Sequence, residues 1–172
     1  MWLLVAVVAI VTACNRHEPA TEQPTAAQVA TPAPATSPRA PSTKGRDLSI
    51  DEAMGGHTLA RHVGKTDAEL AERLRREPQI SAASTYTDRA SAERAVAGAL
   101  DASSGQLSSW SKRRGPRPNL VLRYVSRDRP LGRSLARRAR AAVPCVRAIV
   151  VLRWDVRRNR DYVLTSYPEA DR

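Results

Sequence analysis

The chain has 172 residues, with 28 Lys plus Arg against 17 Asp plus Glu and a net charge of +11. That length allows one domain with a tail, and the basic excess selects polyanions as partners: RNA, DNA or anionic lipid headgroups. The two cysteines, Cys14 and Cys145, stand in different contexts, which excludes a disulfide-stapled fold and makes Cys145 a small buried residue.

Residues 2–13 form an uncharged apolar run that ends in Val11-Thr-Ala-Cys14. The run is shorter than the ~20 residues that span a bilayer and has the length of a signal-peptide core. Its last four residues resemble a bacterial lipobox, so Cys14 is expected to carry a lipid. Residues 1–14 are read as a lipoprotein-type signal peptide, although no Lys or Arg precedes the apolar run. Asn15 after the cysteine points to the outer membrane or cell surface. Residues 15–45, rich in Pro, Ala and Thr, lack apolar periodicity and are expected to form a disordered tether, in which His17 has no assigned role. Before residue 46 the only charged residues are Arg16, Glu18, Glu22, Arg39 and Lys44. The charge therefore belongs to the domain, 46–172.

Asp47–Met54 reads as a short helix or turn stopped by Gly55-Gly56, whose backbone freedom precedes His57 and His62. Thr66-Asp-Ala-Glu69 has the capping-box spacing and opens a helix that Pro78 limits. Leu70, Arg73 and Leu74 share one face of it, which turns Arg73 inward and Arg75 and Arg76 outward; Glu69 is the alternative partner for Arg73 on the helix surface. Ile80–Tyr86 reads as a strand, and Thr87-Asp88 caps a helix with core positions Ala92, Val96, Ala99 and Leu100, extended toward Leu107 and Trp110. Lys112–Pro118 is a basic loop, either solvated or tracking a phosphate backbone. Asn119–Val125 is a strand, and Arg133–Arg140 a basic helical turn or a loop over a substrate groove. Val146–Asp155 is a central strand, and a hairpin leads into Tyr162–Tyr167, which Pro168 ends. Strand alternation places Val163, Thr165 and Tyr167 on one side and Tyr162, Leu164 and Ser166 on the other. Helices thus come first and an antiparallel sheet follows, an α+β order.

Several blocks occur in an order that resembles the bacterial RNase A-like toxin domain of contact-dependent growth inhibition and related polymorphic toxins. They are Gly55-Gly-His-Thr-Leu-Ala-Arg-His-Val-Gly-Lys-Thr66, Thr85-Tyr-Thr-Asp88, Ser134, Val143-Pro-Cys145, Val150-Val-Leu-Arg-Trp-Asp155 and Tyr162-Val-Leu-Thr-Ser-Tyr-Pro-Glu169. The similarity spans roughly 47–170. It implies an RNase A-like fold, N-terminal helices packed on a C-terminal antiparallel sheet, without disulfides. It also implies a site made of His62, Arg73, Thr165 and Tyr167, with His57 in reserve for a supporting role.

The resemblance implies a metal-independent endoribonuclease toxin that cleaves RNA by attack of the 2′-hydroxyl, giving a 2′,3′-cyclic phosphate. No cofactor is expected, and His57 and His62 lack further ligands at metal spacing. The implied partners are RNA and a cognate immunity protein, and the implied state is a monomer. The location is exported and lipid-anchored to the envelope or secreted, with action in a target cell's cytoplasm. The rival reading is a non-catalytic surface lipoprotein whose basic domain holds nucleic acid or another polyanion.

Overall fold

The computed structural model describes residues 46–171. The expected leader, lipidation site at Cys14 and tether lie outside the described residues.

Helix α1 (Leu48–Ala53) opens where the Asp47 carboxylate accepts the Ser49 backbone N–H. It stops at Gly55, whose φ of +103° lies in the left-handed region that favours glycine. Gly56 is needed for a different reason: a Cβ there would sit 2.4 Å from the Val163 carbonyl oxygen. The chain turns at once into α2 (Thr58–His62), a five-residue helix with no counterpart among the sequence expectations. In α3 (Asp67–Arg76) the capping box forms in both directions: the Thr66 hydroxyl accepts the Glu69 N–H and the Glu69 carboxylate accepts the Thr66 N–H. Arg75 and Arg76 point outward and pair with Glu72.

β1 (Ala82–Tyr86) follows, and Asp88 caps α4 (Arg89–Ala102) by accepting the Ser91 N–H. Next come α5 (Ser104–Ser111), β2 (Leu120–Val125), β3 (Gly132–Ala136), β4 (Val143–Cys145), β5 (Arg147–Asp155) and β6 (Arg160–Glu169). The strands form two antiparallel three-stranded sheets rather than one, ordered β1-β3-β4 and β2-β5-β6. This is an α+β fold, and Cys145 is free and 2% exposed.

Each sheet has its own apolar cover. Leu70 and Leu74 of α3 pack with Ala83 of β1 and Leu135 of β3. Ala92, Val96 and Ala99 of α4 pack over Leu122, Val150 and Leu152 of the second sheet. Full burial of one such leucine or valine contributes about 1.5–3 kcal/mol. The sheets meet along β6, where the buried Tyr86 hydroxyl of the first lies 2.5 Å from Ser166 Oγ of the second.

Three expectations need correction. Residues 133–136 are strand, not helix or loop, because Leu135 supplies the core of the first sheet. Pro168 does not end the last strand; β6 is an edge strand with respect to its sheet, where a missing N–H can be tolerated, and it continues to Glu169. The predicted alternation fails at one step. Leu152 pairs with Val163 and Val151 with Thr165, which leaves Leu164 as the extra residue of a bulge. Val163 therefore faces the core, while Thr165 and Tyr167 share the opposite face. The basic loop is pinned: Arg117 stacks 4.1 Å from the Trp154 ring centre, and Trp110 Nε1 donates to the Pro118 carbonyl.

Candidate active site

A cleft of about 640 Å³ opens between α2, α3, β1 and β6. His57, His62, Arg73, Thr165 and Tyr167 all line it, so every site residue expected from the sequence reaches one space.

His62 ends α2, and its side chain is 6% exposed. Its Nδ1 lies 3.3 Å from the Ser84 carbonyl oxygen of β1 and 3.4 Å from Arg73 Nη1. One nitrogen cannot both donate to a carbonyl and accept from a guanidinium. Burial pulls the imidazole pKa down to about 4, and the Arg73 charge adds to the effect while the Ser84 carbonyl opposes it. At neutral pH the ring is uncharged, and a carbonyl facing a bare nitrogen would be repelled. Nδ1 therefore carries the hydrogen toward Ser84, and Nε2 keeps its lone pair.

Arg73 is held by Glu77, one turn later, with Nε 3.3 Å from Oε1; the expected alternative partner, Glu69, is committed to the capping box. Glu77 also lies 4.0 Å from Arg61. Thus Glu77 fixes the Nε side of the guanidinium and leaves Nη1 at the imidazole.

The opposite wall comes from β6. The Tyr167 ring centre lies 5.4 Å from that of His62. Thr165 Oγ1 is buried and has no hydrogen-bond partner. An unpaired buried hydroxyl costs about 1–3 kcal/mol, and this one belongs to a residue of the cleft wall. Three contacts hold this wall against α1 and α2. His57 N–H donates to the Leu164 carbonyl, Ser166 N–H to the Thr58 hydroxyl and Val163 N–H to the buried Asp51 carboxylate.

His57 caps α2 through its backbone position, with its ring 6.4 Å from that of His62. Burial lowers its pKa, and Arg61 acts in the same direction against Glu52. The sequence reading missed Ser84, whose carbonyl atom has no residue-type signature, and Glu77, which the i,i+4 spacing to Arg73 could have indicated. Among the described residues, no three His, Cys, Asp or Glu side chains converge into a cation-holding group.

An α+β fold without a disulfide among the described residues, with an uncharged imidazole, a guanidinium and two hydroxyl side chains around one cleft, fits a ribonuclease of the RNase A type. The family model described as the bacterial CdiA-CT RNAse A domain matches residues 56–168, and the chain belongs to that family. It is a ribonuclease toxin domain of contact-dependent inhibition, which decides between enzyme and passive binder. The structure is similar to that of a CdiA-CT/CdiI complex from Y. kristensenii, with a TM-score of 0.58 and 29% identity over 66% of this chain and 99% of the other. No curated protein matches the chain.

Proposed function

We propose that the cleft cleaves RNA without a metal ion, by transphosphorylation. His62 Nε2 takes the proton from the 2′-hydroxyl as that oxygen bonds to phosphorus. The bond to the 5′-oxygen breaks, the Tyr167 phenol protonates the leaving oxygen, and a 2′,3′-cyclic phosphate remains. Arg73 and the Thr165 hydroxyl hold the non-bridging oxygens as charge builds on them. The observation that carries this reading is the meeting of uncharged His62 with Arg73 at 3.4 Å, opposite Tyr167.

Electrostatics supports the division of roles. Both histidines have lowered pKa values, so neither is a stored acid at neutral pH. Burial is the main cause of the lowered His62 pKa and the Arg73 charge the second; a phosphodiester seated against Arg73 offsets that charge and raises the basicity of His62 when substrate is present. The acid limb of kcat should therefore lie at higher pH than that of kcat/KM, whose free-enzyme value is about 4.

The similarity to a CdiA-CT/CdiI complex supports a cognate immunity protein as partner. The apolar run and Cys14 support export with a lipid anchor before action in a target cell. The test is RNA cleavage by the purified protein in excess EDTA. Undiminished wild-type turnover to a cyclic phosphate, lost in His62→Ala and Tyr167→Phe, is expected. Loss of wild-type activity with EDTA overturns metal independence, and a fully active Tyr167→Phe overturns the phenol as acid.

A further inference from the structure

The second sheet has α4 on one face only. On its other face, the strand register continues the catalytic wall sideways: Tyr167 pairs with Ile149, and Ile149 with Arg123. The neighbouring row is Glu169, Arg147 and Val125. Two strand spacings, roughly 10 Å, separate the Tyr167 and Arg123 backbones. Val121 and Val125 on this face are 48% and 57% exposed.

Two arginines of this face are already engaged. Arg123 lies 3.5 Å from Glu169, and Arg147 lies 3.3 Å from Asp171. Both carboxylates line the catalytic cleft. In a chain of net charge +11, two acids at the edge of a cleft that receives a polyanion oppose its entry. They also hold two long cationic side chains beside that cleft. Exposed ion pairs of this kind contribute only about 0–1 kcal/mol, so a phosphate can replace the carboxylate at little cost.

We propose that Arg123 and Arg147 form a second phosphate subsite, which takes a nucleotide flanking the cleavage point of single-stranded RNA, with Glu169 and Asp171 as the internal counter-ions it displaces. This rests on the ribonuclease chemistry proposed above for the cleft. Continuity with the catalytic wall favours RNA over a protein partner. The exposed valines allow close approach of a flexible strand.

The test separates binding from chemistry. Anisotropy with a 2′-O-methylated RNA hexamer, which has no attacking hydroxyl, is followed across a potassium chloride series. Each phosphate contact on a single strand contributes about −0.7 to the salt slope, so Arg123→Gln/Arg147→Gln should flatten it by about 1.4. The charge-matched control Arg75→Gln/Arg76→Gln, on the outer face of α3 and likewise ion-paired, should retain the wild-type slope. Glu169→Gln should tighten binding severalfold. On cleavable substrates, the double arginine variant should lose about tenfold more kcat/KM on an RNA hexamer than on a dinucleotide, the scale of two exposed charge contacts.

Equal flattening in the control would assign the effect to bulk charge and overturn the subsite. Equal loss on both substrate lengths would do the same, as would weaker binding by Glu169→Gln. Lost affinity for the immunity protein with wild-type RNA binding would give the face to the protein partner instead. If wild-type protein fails to cleave but the arginine variant still flattens the slope, the cleavage reading falls and the subsite stands.

Discussion

His62 is the residue on which stability and the proposed chemistry meet. Its folded pKa, about 4, lies below the unfolded value of about 6.5. Above pH 6.5 the imidazole is uncharged in both states, and its contribution to stability is complete. As pH falls from about 6.5 toward 4, the unfolded chain takes up the proton first, so stability is lost through that window and then levels off. The loss should approach roughly 3 kcal/mol, and urea melts of wild type and His62→Gln at pH 7 and pH 4 measure it as the difference between their slopes with pH. Thr165 makes the reverse trade. Its buried hydroxyl has no partner, so Thr165→Val, which removes that hydroxyl at nearly constant shape, should leave the fold as stable or up to about 1 kcal/mol more stable. RNA cleavage should fall by about 10²-fold, the scale of one lost donor to the developing charge. A destabilised Thr165→Val with full activity would assign the hydroxyl to packing.

At the scale of elements, the site depends on how β6 is seated against α1 and α2. The bulge at Leu164 divides the strand: before it Val163 serves the core, and after it Thr165 and Tyr167 serve the cleft. Gly56 permits the close approach that makes this seating possible. Gly56→Ala should cost about 2 kcal/mol or more, because the colliding atom is a backbone oxygen that cannot rotate away. Thermal melts alongside RNA cleavage should show both falling, and an unshifted melt would show that β6 gives way without cost. Much of this level was legible in the sequence. The capping box at Thr66 fixed α3, helical spacing turned Arg73 inward, and alternation joined Thr165 to Tyr167. The bulge was not legible, because Leu164 has no side-chain feature that announces an extra residue. The β3 strand was obscured by Arg133 within it and the arginines that follow it. Arg137, just beyond it, donates to the Leu74, Glu77 and Ile80 carbonyls, so a charge that read as surface chemistry instead closes the end of α3. The first sheet was missed as a separate layer because β1 stands among helices in the chain yet pairs with β3, a partner about fifty residues away.

For the whole molecule, two separate apolar clusters and the packing of β1 and β3 against β6 hold the sheets on either side of the cleft. The buried Cys145 thiol takes no part in this closure, and burial, with Asp171 and Glu169 adding to it, pushes its pKa up to about 11. The melting temperature should therefore be the same with and without excess dithiothreitol, and a drop in the reductant would reveal a covalent link. The free thiol has a further consequence for how the domain is made. No step in folding of the described residues waits on an oxidant or on the slow reshuffling of sulfur bonds. A chain drawn out to a thread on one side of a membrane can rebuild the same cleft on the other, whatever the redox poise of the compartment it enters.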